Sequence, residues 1–269
     1  MPCARTVGTC SSEGPVEALG DPHFGQNLSV RLSTLNDVSE LTVMQERLVV
    51  AIDGPSGSGK SSTSRGVASR LGLAYLDTGA MYRAATWLAL RAGLNLDDAA
   101  AVAELVAKAP MTISLDPAHP TIAIDGHDVT EAIRSPEVSS SVSAIATNLA
   151  VRADLVSRQR KLVAEADRGI VAEGRDITTV VAPQAQVRIL LVADPDARVA
   201  RREAELGGRL DTAAVTDQVI RRDNDDSAVA QFHAAAPGVV LVDSTHHTLD
   251  QVIDAICGLV ETASQPVSP

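Results

Sequence analysis

Lysine is scarce in this 269-residue sequence: Lys60, Lys108 and Lys161 are the whole set, so twenty of the 23 basic residues are arginines. Aromatic residues are as rare, with Phe24, Tyr75, Tyr82, Trp87 and Phe232 the complete inventory. Against 34 acids the cations leave a formal net charge of −11. An acidic surface repels a phosphate backbone, and five aromatics cannot build a row of base-stacking platforms, which argues against a nucleic-acid polymer as partner. The three cysteines, Cys3, Cys10 and Cys257, are odd in number and widely spaced. No second ligand pair follows Cys3 and Cys10, so neither a disulfide framework nor a zinc centre is expected, and a reducing, cytoplasmic setting fits best. The longest apolar runs, such as residues 189–193, are strand-length, well short of the ~18 residues that suggest a membrane span. No basic segment followed by an apolar stretch opens the chain, so a secretory signal is not expected either.

Hydrophobic residues make up 45% of the chain, enough for a sizeable core. At ~150 residues per domain the length allows one large domain or two small ones. Residues 1–46 mix Gly, Ser, Pro and Asn with two arginines (Arg5, Arg31) and five acids (Glu13, Glu17, Asp21, Asp37, Glu40), the composition of a poorly ordered tail. Met44, just before the first convincing strand, is a candidate translation start. From Leu48 the pattern changes. Strands are expected at 48–52, 74–76, 170–172, 187–192 and 239–242, and helices at 60–71, 80–92, 97–109, 151–166, 195–206, 212–222 and 249–262. Strands separated by helices imply a parallel sheet covered on both faces. Residues 112–115 and 121–124 alternate around Asp116-Pro117-Ala118-His119-Pro120 and read as a hairpin. Ser135-Pro136-Glu137 is a helix start, and Asp97-Asp98 supplies helix-start charge. The hairpin and its neighbours, about 94–168, interrupt the alternation as an insertion.

Chemistry concentrates first in Gly54-Pro55-Ser56-Gly57-Ser58-Gly59-Lys60-Ser61, which matches G-x-x-x-x-G-K-[ST] in full between a strand and a helix. Its glycines let backbone N–H groups form an anion nest, Lys60 brings a charge to the β/γ bridge, and the Ser61 hydroxyl can ligate Mg²⁺. With Ser62 these residues are the candidate ATP-binding set, and Ser61 the candidate metal ligand. No N/T-K-x-D motif accompanies Lys108 or Lys161, which removes a guanine-reading switch. The apolar run Ile170-Val171-Ala172 ends in Glu173-Gly174-Arg175-Asp176, an acid at the strand edge where open α/β sheets bind ligands. A second cluster, Asp77-Thr78-Gly79-Ala80-Met81-Tyr82-Arg83, opens a helix with an arginine in reach of a phosphate held there. Arg198, Arg201, Arg202, Arg209, Arg221 and Arg222 follow around a Gly207-Gly208 break. A donor nest, arginine clamps and closing cations are what transfer between two anionic substrates needs.

At 52–62 (IDGPSGSGKSS), 76–83 (LDTGAMYR), 171–181 (VAEGRDITTVV) and 222–227 (RDNDDS) the chain resembles the bacterial cytidylate kinases, over roughly 47–262. The resemblance implies transfer of a phosphoryl group from ATP to CMP or dCMP with Mg²⁺. It implies an α/β P-loop NTPase core, an acceptor-binding insertion at about 94–168, a short Arg-rich lid at about 198–222 and a C-terminal tail at 263–269. It places Thr78, Arg83 and Arg175 at the acceptor phosphate, Ser143, Arg152 and Asp176 around cytosine, and Arg222 and Asp226 at the ribose. Arg198, Arg201 and Arg202 become lid arginines. Lys60, Arg83, Arg175 and Arg201 are then the candidate catalytic groups, and a cytoplasmic monomer acting on a small nucleotide is expected. A carboxylate at Asp176 can accept from the cytosine amino group. Arg152 shares the apolar helix face of Leu155 and Val156, which suits a pocket lining.

The chain departs from the family's pattern. Thr178, Ala182 and Gln184 stand where a glycine, an aromatic and an acid are usual, and Val229 where an arginine is expected. Two rival readings stand beside this one: a P-loop kinase for another small acceptor and, motivated by Val229 and Thr178, a degenerate nucleotide binder that no longer transfers phosphate. His246-His247 is assigned to an exposed helix-cap region, and Trp87 to the core.

Overall fold

The computed structural model describes residues 47–206, 216 and 234–263. The proposed N-terminal tail with Met44, residues 264–269 of the proposed C-terminal tail, the Gly207-Gly208 break, the helix at 212–222 apart from residue 216, and Arg209, Arg221, Arg222, Asp226 and Val229 lie outside them; residue 263 ends a helix.

The sheet is five-stranded and parallel, in the order β2-β6-β1-β7-β8. Its strands are β1 (Val49–Asp53), β2 (Ala74–Asp77), β6 (Ile170–Gly174), β7 (Val187–Val192) and β8 (Val240–Asp243). Every residue of β6 and all but the first of β1 are buried. That is why these segments read as continuous apolar runs rather than alternating ones. Helix α1 (Lys60–Leu71) and the last helix, α7 (Leu249–Ala263), cover one face, where Val67 and Ala68 meet Val50, Ile189, Val252, Ile253 and Ile256. The other face carries α2 (Thr78–Arg91), α3 (Ala99–Lys108), α4 (Pro136–Ala146) and α5 (Leu149–Glu165) around Leu76, Met81, Ile145, Leu155 and Ile177. Helix α6 (Pro195–Leu206) follows β7.

Side-chain caps set most helix starts. Asp77 accepts from Ala80 N, Asp98 from Ala101 N, Ser135 from Val138 N, and Asn148 from Ala150 N and Val151 N. Each satisfies an N–H group that the helix cannot. These caps start α2 and α5 two residues earlier than the apolar periodicity suggests, and α3 two residues later than its paired acids suggest. The hairpin forms as β3 (Met111–Ile113) against β4 (Ile122–Ile124). A third strand, β5 (His127–Asp128), joins it through Asp125-Gly126, both at positive φ (50° and 73°). An Asp-Gly pair in a two-residue turn is the sequence signal for that strand, which the apolar pattern alone does not show. Trp87 is half-buried against the core, with the Arg91 guanidinium 5.1 Å above its ring.

Candidate active site

The loop between β1 and α1 is wound so tightly that a side chain is excluded at Gly54 and Gly57. A Cβ on Gly54 would lie 2.1 Å from the Leu191 carbonyl oxygen of β7. Gly59 (φ 90°) enters α1 with no side chain to cap it, and the first turn holds no acid. The leading N–H groups and the positive end of the helix dipole are therefore presented to an anion. Lys60, 7% exposed, donates from Nζ to the Pro55 carbonyl at 2.7 Å, and Ser58 Oγ donates to the same oxygen at 3.1 Å. Arg198 Nη1 donates to Ser56 O at 3.1 Å. Arg201 donates to both the hydroxyl and the carbonyl of Ser244, at 2.9 and 2.6 Å, and Ser244 Oγ reaches Ser58 O at 3.1 Å. A cavity of about 340 Å³ opens between the loop, Ser61, Ser62, Arg201 and the turn bearing Ser244 and His247. His247 is exposed, as expected for the turn before α7, yet it also lines this cavity.

A second cavity, of about 630 Å³, shares Gly57, Lys60, Ser61 and Arg202 with the first, so the two meet over Lys60. Arg83 and Arg175 line it, together with Asp77, Arg134 and Glu173. Arg83 Nη2 pairs with Asp77 Oδ2 at 2.9 Å. Thr78 is buried, and its hydroxyl donates to Glu173 O at 2.7 Å. Arg152 on α5, half-buried, and Asp176 after β6, buried, form an ion pair with each other and do not line this cavity. Ser143 stands half-buried on α4, outside that pair.

Residues 50–262 match the family described as cytidylate kinase. The chain belongs to that family. Among its relatives, the cytidylate kinase of Cutibacterium acnes is 57% identical over 217 residues, covering 79% of this chain and 96% of that protein. Those of Streptomyces avermitilis and Nocardia farcinica are 46% and 50% identical, covering 80% and 79% of this chain and 93% of each relative.

Within this cytidylate kinase family member the buried carboxylates at and after the end of β6 carry the unusual electrostatics. Glu173 lies beside Asp77 on the neighbouring strand β2 and accepts from the Tyr75 hydroxyl at 2.7 Å. Burial pushes its pKa up, and repulsion from Asp77 adds to this. Lys60 and the hydroxyls of Ser61 and Tyr75 oppose the shift. Burial and Glu173 together hold the Tyr75 phenol far above its ordinary range. Asp176 is also raised by burial, against the pull of Arg152. Carboxylates perturbed in this way mark functional clefts. The Ser61 hydroxyl and Glu173 carboxylate are hard oxygen donors that both line the second cavity. They fit Mg²⁺, which takes one or two protein oxygens and leaves the rest of its shell to phosphate and water. Among the described residues no cluster of three or more His, Cys, Asp or Glu could hold a metal ion. No described helix is long and apolar enough to cross a membrane.

Sequence reasoning gave no role to Asp53, Tyr75 or Ser244, and marked Glu173 only as an acid at a strand end. Tyr75 and Glu173 are 98 residues apart, and Ser244 and Ser58 are 186 apart, so no local spacing could have joined them.

Proposed function

We propose that this chain transfers the terminal phosphoryl group of ATP to CMP or dCMP, giving ADP and CDP or dCDP. The observation that carries the reading is the meeting of two cavities over Lys60: an uncapped helix start on one side, and Arg83 and Arg175 on the other. The N–H groups from Gly57 to Ser62 cradle the donor phosphates. Lys60 neutralises charge that builds on the migrating group, and Arg201 and Arg202 flank it. Arg83 and Arg175 hold the acceptor phosphate, with Thr78 fixing the backbone beneath them. The acceptor oxygen is already an anion at neutral pH, so alignment supplies the catalysis and no general base is assigned. Ser61 and Glu173 would hold Mg²⁺, which would supply positive charge to offset that of the donor phosphates. Asp176 accepts from the cytosine amino group, Arg152 holds that carboxylate in place, and Ser143 completes the base site. Arg222 and Asp226 take the ribose. All these groups come from one chain, so a monomer suffices, and the small nucleotide is its partner in the cytoplasm.

An ADP-release assay with CMP, dCMP, UMP, AMP and shikimate tests the reading. CMP or dCMP should exceed the other acceptors in kcat/KM by about 10⁴-fold, the discrimination expected of a buried hydrogen-bonding site. Comparable rates with shikimate or AMP would favour a kinase for another acceptor. ATP binding without turnover on any acceptor would favour the non-catalytic reading that Val229 and Thr178 raise.

A further inference from the structure

The backbone leaving β6 makes a single π-helical turn over Ile177–Val181, with Val180 N and Val181 N donating to Asp176 O at 2.8 and 3.2 Å and Ala182 N to Ile177 O at 2.8 Å. Such turns are rare and cluster at functional positions. A helical turn leaves its leading N–H groups without partners, and an aspartate immediately preceding it ordinarily folds its carboxylate back onto them. Asp176 occupies that position and makes no such bond. The N–H groups of Ile177 and Thr178 donate instead to the two oxygens of Asp53, each at 2.8 Å, and the Thr178 hydroxyl adds a third bond at 2.7 Å. Asp53 is 3% exposed at the end of β1, 124 residues before Ile177.

We propose that Asp53 and Thr178 together form a borrowed cap that keeps the Asp176 carboxylate turned toward Arg152 and the acceptor's base. They are positioning residues: neither touches substrate. The proposal rests on the assignment of Asp176 to that base. Asp176 has two competing uses, the N–H groups of its own turn and the Arg152 guanidinium, and one carboxylate in one rotamer cannot serve both. Asp53 removes the first by satisfying the turn from the neighbouring strand. Asp53 is buried, so its oxygens need donors in turn; two N–H groups leave part of its acceptor capacity unused. The threonine hydroxyl supplies the third donor, which the family's usual glycine lacks. A hydroxyl at this position is thus a feature of the acceptor side, not a defect in it. The neighbouring backbone is equally fixed: a Cβ on Gly174 would lie 2.5 Å from Thr78 Oγ1 and 2.8 Å from Ile177 Cδ1.

Thr178→Val removes the hydroxyl at nearly constant volume, and Thr178→Ser restores it. The valine variant should raise KM for CMP about three- to tenfold, the effect of one buried hydrogen bond, and lower the CMP-over-UMP ratio. KM for ATP should stay within about twofold, and the serine variant should recover wild-type values. A melting temperature measured beside each variant shows whether the fold is retained. A purely structural threonine would lower that temperature, move both KM values together and leave base discrimination untouched, and that result would overturn the proposal. Asp176→Asn separates the two levels. If it loses discrimination while Thr178→Val keeps it, the borrowed cap alone is wrong; if Asp176→Asn keeps it, the base-site assignment itself falls.

Discussion

On the donor side, eight consecutive residues from Gly54 to Ser61 build the nest, mostly from backbone, and Lys60 folds its ammonium back onto the Pro55 carbonyl of its own loop. On the acceptor side the candidates arrive singly from β2, α2, α5, β6 and the π-turn, and side-chain pairs hold them: Arg83 to Asp77, Arg152 to Asp176, Asp53 to Thr178. The first design fixes its geometry through chain conformation, which one substitution of a side chain barely disturbs. The second fixes it through charge and hydrogen bonding among buried groups, where losing one partner leaves the other desolvated. Donor-side changes should therefore separate activity from stability, whereas acceptor-side changes should couple them.

Lys60→Ala gives the sharpest separation. Turnover should fall by about 10³-fold or more, because a charge placed against the transition state is lost. The melting temperature should hold within a few degrees. Single-turnover kinetics beside thermal unfolding checks both, and a variant with near-normal turnover would break the comparison on the donor side. Arg152→Ala comes next and should couple the two properties. It leaves Asp176, whose side chain is 7% exposed, as a buried carboxylate without its ion-pair partner. Orphaning one member of a buried pair costs roughly 3–5 kcal/mol. Urea unfolding should show that loss, and KM for CMP should rise while KM for ATP stays put. Adding Asp176→Ala to Arg152→Ala should return much of the stability and none of the base discrimination. Equal stability of the single and double variants would show that the pair is not mutually dependent.

The same contrast explains what could be read from the sequence. The P-loop, α1 over 60–71 and β7 over 187–192 were legible because their signals are local: glycine spacing, a lysine beside a hydroxyl, a continuous apolar run. The enclosure of Arg152 was legible from its place on a helix face, but its partner Asp176 was assigned through family resemblance alone. The π-turn was not legible at all, since five residues of Ile, Thr and Val fit a strand equally well. The role of Asp53 was hidden for another reason. It reads as the residue before a glycine-rich loop, and its function appears only when β1 and β6 lie side by side in register, Asp53 opposite Gly174. Thr178 read as a loss against the pattern and proves to be a hydrogen-bond donor. His247, assigned to a solvent-exposed turn, is exposed and also borders the donor cavity.

Glu173 lines the acceptor-side cavity beside Lys60, and Glu173→Gln carries the smallest expected effect. Burial is the main force raising its pKa, ahead of the opposing pull of Lys60. A carboxyl whose pKa is higher in the folded state than in the unfolded chain favours folding while it is protonated. That contribution is complete below the ordinary carboxylate range and is lost as pH rises through the raised folded value. Glutamine keeps an oxygen for the Tyr75 hydroxyl and never ionises. The variant should therefore match the wild type near pH 4 and exceed it near pH 8 by about 1 kcal/mol, a few degrees in melting temperature for a domain of this size. Asp53 and Asp176, also raised by burial, titrate with the same sign in both proteins and cancel in the difference. Catalysis should move the opposite way, with the Mg²⁺ concentration for half-maximal rate rising as a charged oxygen is removed. A melting-temperature difference that stayed flat across this pH range would mean that Lys60 fully compensates the buried charge. The carboxylate would then belong with the stabilising acceptor-side pairs and not with the groups held at a cost to stability.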